Sequence, residues 1–266
     1  NKRVQRPSHD PSAASAAAVE RANLAGIDRY IAAGNSARSR LTVADAALSD
    51  LITQITSAQT TALAARSSTV TDVQREAYAL ELESLRDAML RDVNTQFRGQ
   101  YIFGGATATV APYTKDASGV VSAYQGSTLE VGVDVDEEHV VQIAYNGEAL
   151  VKGSDPDDLF VVMDRAINAV RNADGPALDA AMADLERALE RATVMQSRVG
   201  TALRTIDEDQ TRLSEASRAA RAQISSLEDA NMAEAISGMT EAETVYRAAL
   251  GATATLHNFS LMDYLK

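Results

Sequence analysis

The 266-residue chain is 45% hydrophobic yet only 5% aromatic, with no tryptophan, so its core has to be assembled from long runs of small contacts. Its 37 acidic side chains against 25 basic ones leave a formal charge of -12, which repels a phosphate backbone and excludes nucleic acid as an expected partner. Zero cysteines exclude disulfides, thiol catalysis and cysteine zinc sites, and no apolar run reaches the ~20 residues of a membrane-spanning helix, so no membrane partner is expected either.

The opening NKRVQRPSHDP is polar, has no methionine and lacks the apolar stretch of a cleavable signal, which predicts a start inside a longer gene product. Asp10-Pro11 predicts an N-cap with proline at the first helical position, and Gly34-Asn35 predicts the end of that first helix. From Leu41 the apolar residues fall into a heptad, Leu41, Leu48, Ile55 and Ala62 in one row and Ala44, Leu51, Ala58 and Ala65 in the other. The Ser67-Ser68-Thr69 cluster interrupts it. Thr71 with Gln74 then forms a capping-box pattern, opening a helix that carries Tyr78, Leu82, Leu85, Met89 and Val93 and ends by Phe97 and Gly99.

After Gly104-Gly105 the period changes from 3.6 to 2. Leu129, Val131, Val133 and Val135 alternate with polar residues as a half-buried strand, which puts Asp134 and Asp136 together on a wet face. A second strand through Val141, Ile143 and Tyr145 runs into Asn146-Gly147, a tight-hairpin signal. Ala111-Pro112 and Asp116 to Gly119 read as turns. Asp155-Pro156 predicts the cap of a helix through Ala173, and Gly175-Pro176 a reversal. From Leu178 to Leu227 apolar or small residues then recur by four and three, among them Leu185, Ala192, Val199, Ile206, Leu213 and Ala220. Gln196 and Gln210 within that row would fix register, and Met182, Met195, Met232 and Met239 read as seam filler. At ~1.5 Å per residue the row spans roughly 75 Å, too long for an ordinary globular helix.

The expected fold is therefore mainly α with a small β-insertion: an elongated antiparallel helical rod plus one β-rich domain. Residues 1–105 supply its N-terminal helices, 106–153 the β-rich insertion, 154–235 the helices completing the rod, and 236–266 a C-terminal arm. Ile236, Met239, Tyr246 and Leu250, with Leu261 and Tyr264 beyond, continue an apolar stripe along that arm.

Five segments in this order resemble the flagellin superfamily, and within it the hook-filament junction proteins: RPSHDPSAA, VNTQFRGQYIFGG, YQGS, SSLEDANMAEAISGMTEAE and the terminal SLMDYLK. His9 and Ser127 stand where that pattern more often has aspartate. The resemblance implies a structural, non-enzymatic subunit, without cofactor, exported through the flagellar type III pathway to the extracellular flagellum. The implied partners are copies of itself in a ring, a hook-associated protein on the hook side, flagellin on the filament side and an export chaperone before assembly. It marks Arg6, Pro7, Asp10, Pro11, Phe97, Tyr101, Phe103 and Gly104 as motif residues and candidates for subunit contact, although Tyr101 and Phe103 could equally pack the insertion onto the rod. It also places a further N-terminal helix, the natural partner of the arm, before Asn1.

Flagellin itself is the nearest alternative, opposed by the ending SLMDYLK. A signalling coiled coil shares the acidic, alanine-rich heptads but not a β-insertion. The string Asp134, Asp136, Glu137, Glu138 and His139 could be a hydrolytic metal site, but a solvated charged strand accounts for it more simply. Asp155, Asp157 and Asp158 suit a helix N-terminus better than a calcium loop.

Overall fold

A computed structural model of the chain describes residues 10–67, 69–117, 119–229 and 232–264, except the side chains of 232, 234, 235 and 256–264. Two compact units result, Arg29–Ser214 and the pairing of Asn1–Asp28 with Glu215–Lys266. Among the described residues no helix is long and apolar enough to cross a membrane.

The chain is mainly helical. Helix α1 runs Pro11–Ala65 without a break, α2 Asp72–Val93, α4 Leu159–Arg171, α5 Gly175–Glu228 and α6 Met232–Tyr264, with a single turn, α3, at Gly147–Val151. Two small antiparallel sheets lie between α2 and α4: β1 (Gln96–Phe97) with β2 (Gln100–Tyr101), and β3 (Val131–Asp134) with β4 (Val140–Ala144).

In the larger unit the helices are antiparallel, as the pattern predicts. Arg38 pairs with Asp207 and Arg66 with Asp179 across α1 and α5, Gln54 donates to Asp92 across α1 and α2, and Arg171 reaches Glu76 and Glu83 across α4 and α2. Both heptad rows from Leu41 to Ala65 are buried, and every position of the four-three row from Leu178 to Leu213 is buried or half-buried. Burial at roughly 25 cal/mol per Å² of apolar surface, spread over this seam, is what substitutes for large aromatic anchors. In the smaller unit Ala13 and Ala17 of α1 and Ala220 of α5 are buried, and Arg21 pairs with Glu228.

Several local expectations are corrected. Gly34-Asn35 does not stop α1, because Ala37, Leu41 and Ala44 just beyond are buried on the seam and hold the helix together. Gly34 instead makes room for α5: a Cβ there would run into the Gln210 amide, which donates to the Ile31 carbonyl at 2.9 Å. That bond gives Gln210 the register role its place in the row suggested.

Helix α2 starts with the predicted Thr71–Gln74 capping box but ends at Val93, capped by Asn94, and Phe97 and Gly99 belong to a hairpin. Its turn residues Arg98 and Gly99 sit at φ 52° and 78°, as a two-residue hairpin of this hand requires. Asn146-Gly147 is not a hairpin turn. Asn146 caps α3, accepting from Glu148 and Ala149 N–H at 2.9 and 3.3 Å, and Gly147 is small because a Cβ would stand 2.5 Å from the Phe103 carbonyl. The cap of α4 is Asp158, which accepts from Phe160 and Val161 N–H, while Asp155 receives Arg187 and Arg191 instead. Met182 and Met195 do fill the seam, but Met239 is exposed and the Met232 side chain lies outside the described residues.

Candidate functional site

Three places carry the side chains that sequence and resemblance single out: the junction where α2 enters the β-insertion, an acidic cluster against α5, and the face of α6.

The junction is built from the segment Val93 to Gly105. Asn94, at the end of α2, clamps the backbone of Tyr113 from both sides, donating to its carbonyl at 2.7 Å and accepting its N–H at 3.1 Å. Tyr113 is buried beside Phe160 of α4, ring centroids 5.3 Å apart, and beside Tyr124 at 5.5 Å; burial pushes its phenol well above the ordinary value. The Tyr124 hydroxyl lies 3.0 Å from both the Phe103 and the Ser127 carbonyl oxygens and accepts the Gly147 N–H at 3.4 Å. Gly126 sits under that ring, where a Cβ would approach Tyr124 Cζ to 2.5 Å. The YQGS segment is thus a clasp that closes the insertion on its own entry strand.

Replacing Tyr124 by phenylalanine removes one hydroxyl from three backbone partners. A loss of about 1–3 kcal/mol in urea denaturation is expected, and an unchanged midpoint would show that the clasp is idle.

These contacts decide what the motif residues do. Phe103 is 1% exposed and Gly104, bridged to Asn146, is buried, so the candidacy of both for subunit contact is corrected: they pack the insertion inside the chain. Phe97 and Tyr101 are half-buried and keep surface, Pro11 is exposed, and Asp10 caps α1 by accepting the Ala13 N–H at 3.0 Å. Arg6 and Pro7 lie outside the described residues.

The second place departs from strand alternation. Asp134 is exposed, but β3 ends there and Asp136 turns inward to a buried position beside Asp209 of α5. Both carboxylates bind Arg212, and His139 Nδ1 lies 2.9 Å from each oxygen of Asp209. The ligand atoms of Asp136, His139 and Asp209 lie within 4.8 Å of one another, which is metal-ligand spacing. Arg212 already bridges the two carboxylates, however, so a divalent ion would have to displace it. The cluster acts as a charged latch between the tip of the β3–β4 hairpin and α5. Asp209 was not legible as a member: only the fold brings residues seventy positions apart together.

On the same side of α5, Val140, Gln142 and Tyr145 face Val194, Ser197 and Thr201 across a shallow groove. Arg198 lies 5.6 Å over the Tyr145 ring and pairs with Glu130; burial pushes the Tyr145 phenol up to about 12 despite that nearby cation.

The third place is α6. Ile236, Met239, Val245, Tyr246 and Leu250 are all more than half exposed, an apolar set on a helix whose described side chains, 233 and 236–255, are all exposed. The side chains of Leu261 and Tyr264 lie outside the described residues.

Two regions match known families: residues 2–108 match the bacterial flagellin N-terminal helical region, and 182–265 the bacterial flagellin C-terminal helical region. The chain is 27% identical over 288 residues to flagellar hook-associated protein 3 of Escherichia coli, covering 100% of this chain and 90% of that one. It is 26% identical to the Salmonella typhimurium protein of the same name, covering 98% and 89%. In fold it is similar to the flagellar junction protein FlgL of Legionella pneumophila, with a TM-score of 0.68 at 13% identity, over 80% of this chain and 100% of that one.

Proposed function

The chain belongs to the bacterial flagellin family, and on that premise we propose that it is a structural subunit of the flagellum, of the hook-associated kind, that joins the hook to the filament. The observation that carries this reading is likeness along the full chain to relatives named flagellar hook-associated protein 3, on a fold whose N- and C-terminal halves pair as antiparallel helices with two small sheets between them in the chain. Such a subunit has mechanical work and needs no catalytic group. The one convergent set of metal-ligand side chains among the described residues is already neutralised by Arg212.

The finer partners are those the resemblance implies, and the exposed face of α6 supports them. Ile236, Met239, Tyr246 and Leu250 leave an apolar stripe in water, and such a stripe is suited to a chaperone groove before export and to a neighbouring helix after assembly. Copies of the chain would form the ring, with a hook-associated protein on one side and flagellin on the other, outside the cell.

Electron microscopy of a strain lacking the gene tests the reading. Intact hooks bearing no filaments, with filament protein shed into the medium, are expected. Filaments of ordinary length attached to hooks would overturn it.

A further inference from the structure

Arg40 projects from α1 into the seam between α1 and both small sheets, and it is only 5% exposed. Its guanidinium donates to the Ile143 carbonyl at 2.5 Å, to Gln100 Oε1 at 3.2 Å and to the Tyr101 carbonyl at 3.1 Å. All three acceptors are neutral, and no described carboxylate pairs with it. The other partly buried arginines of this unit are matched: Arg75 with Asp72, Arg86 with Asp164, Arg165 with Asp184 and Arg191 with Asp155. A buried charge without a counter-charge is costly, and burial pulls the Arg40 guanidinium below its ordinary value.

Arg40 lines a groove of about 390 Å³ whose other walls include Ser36, Phe97, Arg98 and Gln100. Arg98 is exposed, lies 5.1 Å over the Phe97 ring and has no carboxylate partner among the described residues. It also occupies φ 52°, a conformation that costs a residue with a Cβ and that asparagine or glycine would adopt more readily. Two unmatched cations therefore share one groove on a chain of net charge -12. Of the five guanidinium N–H groups of Arg40, three are engaged, which leaves two for an incoming group.

We propose that this groove binds a carboxylate, the acidic side chain of a neighbouring copy of the same chain. The reading of the chain as an assembling flagellar subunit underlies this step. Copies carrying -12 each repel one another unless their contacts place an anion against a cation, and a planar guanidinium takes a carboxylate in two parallel bonds. Arg98 at the rim steers the acid, and Arg40 at the base receives it with donors already fixed by neutral neighbours.

The test is charge-reversal genetics in flagellated cells producing the full chain. Arg98→Glu is expected to cut filament attachment about tenfold, while Arg98→Asn, which suits the turn but lacks charge, has a smaller effect. Because Arg98 is exposed, purified Arg98→Glu protein should melt with the wild type, which separates lost contact from lost fold. Selection for restored motility should return acid-to-base changes in this same chain, at a surface outside the groove. Normal filament attachment by Arg98→Glu, or suppressors confined to other genes, would overturn the proposal. So would stabilisation of the wild-type chain, but not of Arg98→Glu, by inorganic sulfate at constant ionic strength with no acid-to-base suppressor, because the groove would then belong to a small anion. Each of these outcomes is read in a strain whose deletion parent has already lost its filaments, so failure here leaves the hook-to-filament role standing.

Discussion

Gly105→Ala is expected to lower the unfolding free energy by about 4 kcal/mol, a large share of the 5–15 kcal/mol typical of a folded domain. Two effects add. Gly105 has φ +59°, where a residue with a Cβ costs about 1–2 kcal/mol. A Cβ would also run into the Ser127 carbonyl oxygen and stand 2.8 Å from that of Leu129. Neither oxygen is free to retreat, because Ala106 N–H donates to the Leu129 oxygen at 2.9 Å and the Tyr124 hydroxyl lies 3.0 Å from the Ser127 oxygen. Relief means giving up the bonds that seat the insertion on its entry strand. Gly200→Ala is the contrasting variant: a Cβ there meets nothing within 4 Å, and the helix interior should gain roughly 0.5–1 kcal/mol. Urea denaturation of the two side by side checks the sign as well as the size. Similar midpoints for both would refute the assigned role of Gly105.

Hydrogen exchange is expected to separate two helices by about three orders of magnitude, with amides from Met239 to Leu250 of α6 exchanging fast and those from Leu185 to Ile206 of α5 slowly. Leu185, Ala192, Val199 and Ile206 are buried, so their amides open only with loss of the seam. The described side chains of α6 are exposed, and Gly238 and Gly251, with no neighbour within 4 Å of a Cβ, each weaken it by about 1 kcal/mol relative to alanine. A helical stretch whose described side chains bury no face keeps only its local stability. A gap of ~4 kcal/mol in opening free energy corresponds to that thousandfold difference. Adding a partner that covers Ile236, Met239, Tyr246 and Leu250 should slow α6 and leave α5 unchanged. Equal protection in the isolated chain would mean that α6 is held by contacts of its own, and the case for a docking stripe would fall.

The junction residues show where reading a sequence stops. YIFGG and YQGS are visible as motifs, yet their roles are set by what meets them: Tyr124 reaches Phe103, Ser127 and Gly147 at once, and Asn94 finds Tyr113 nineteen positions away. Arg40 carries no signal at all in its sequence setting. Nothing local says that an arginine on a helical heptad will be buried against the carbonyls of Tyr101 and Ile143. Asn146-Gly147 and Asp155-Pro156 misled for a related reason. Turn and cap propensities are worth about a kilocalorie, and packing of Gly147 against Phe103, or pairing of Asp155 with Arg187 and Arg191, outweighs them.

The sequence by itself determined the helical seam, the antiparallel arrangement of its helices, the presence of a small β-part between them and the apolar stripe from Ile236 to Leu250. These depend on periodicity, which repeats over many residues and sums many small apolar contributions into one unambiguous face. Only the tertiary structure decided that Asp136 leaves the wet face for Asp209 and Arg212, that Phe103 is interior rather than a contact, and that Arg40 is buried without a carboxylate. Each of those depends on a single pair of atoms brought together from distant parts of the chain, and one contact leaves no period in a sequence.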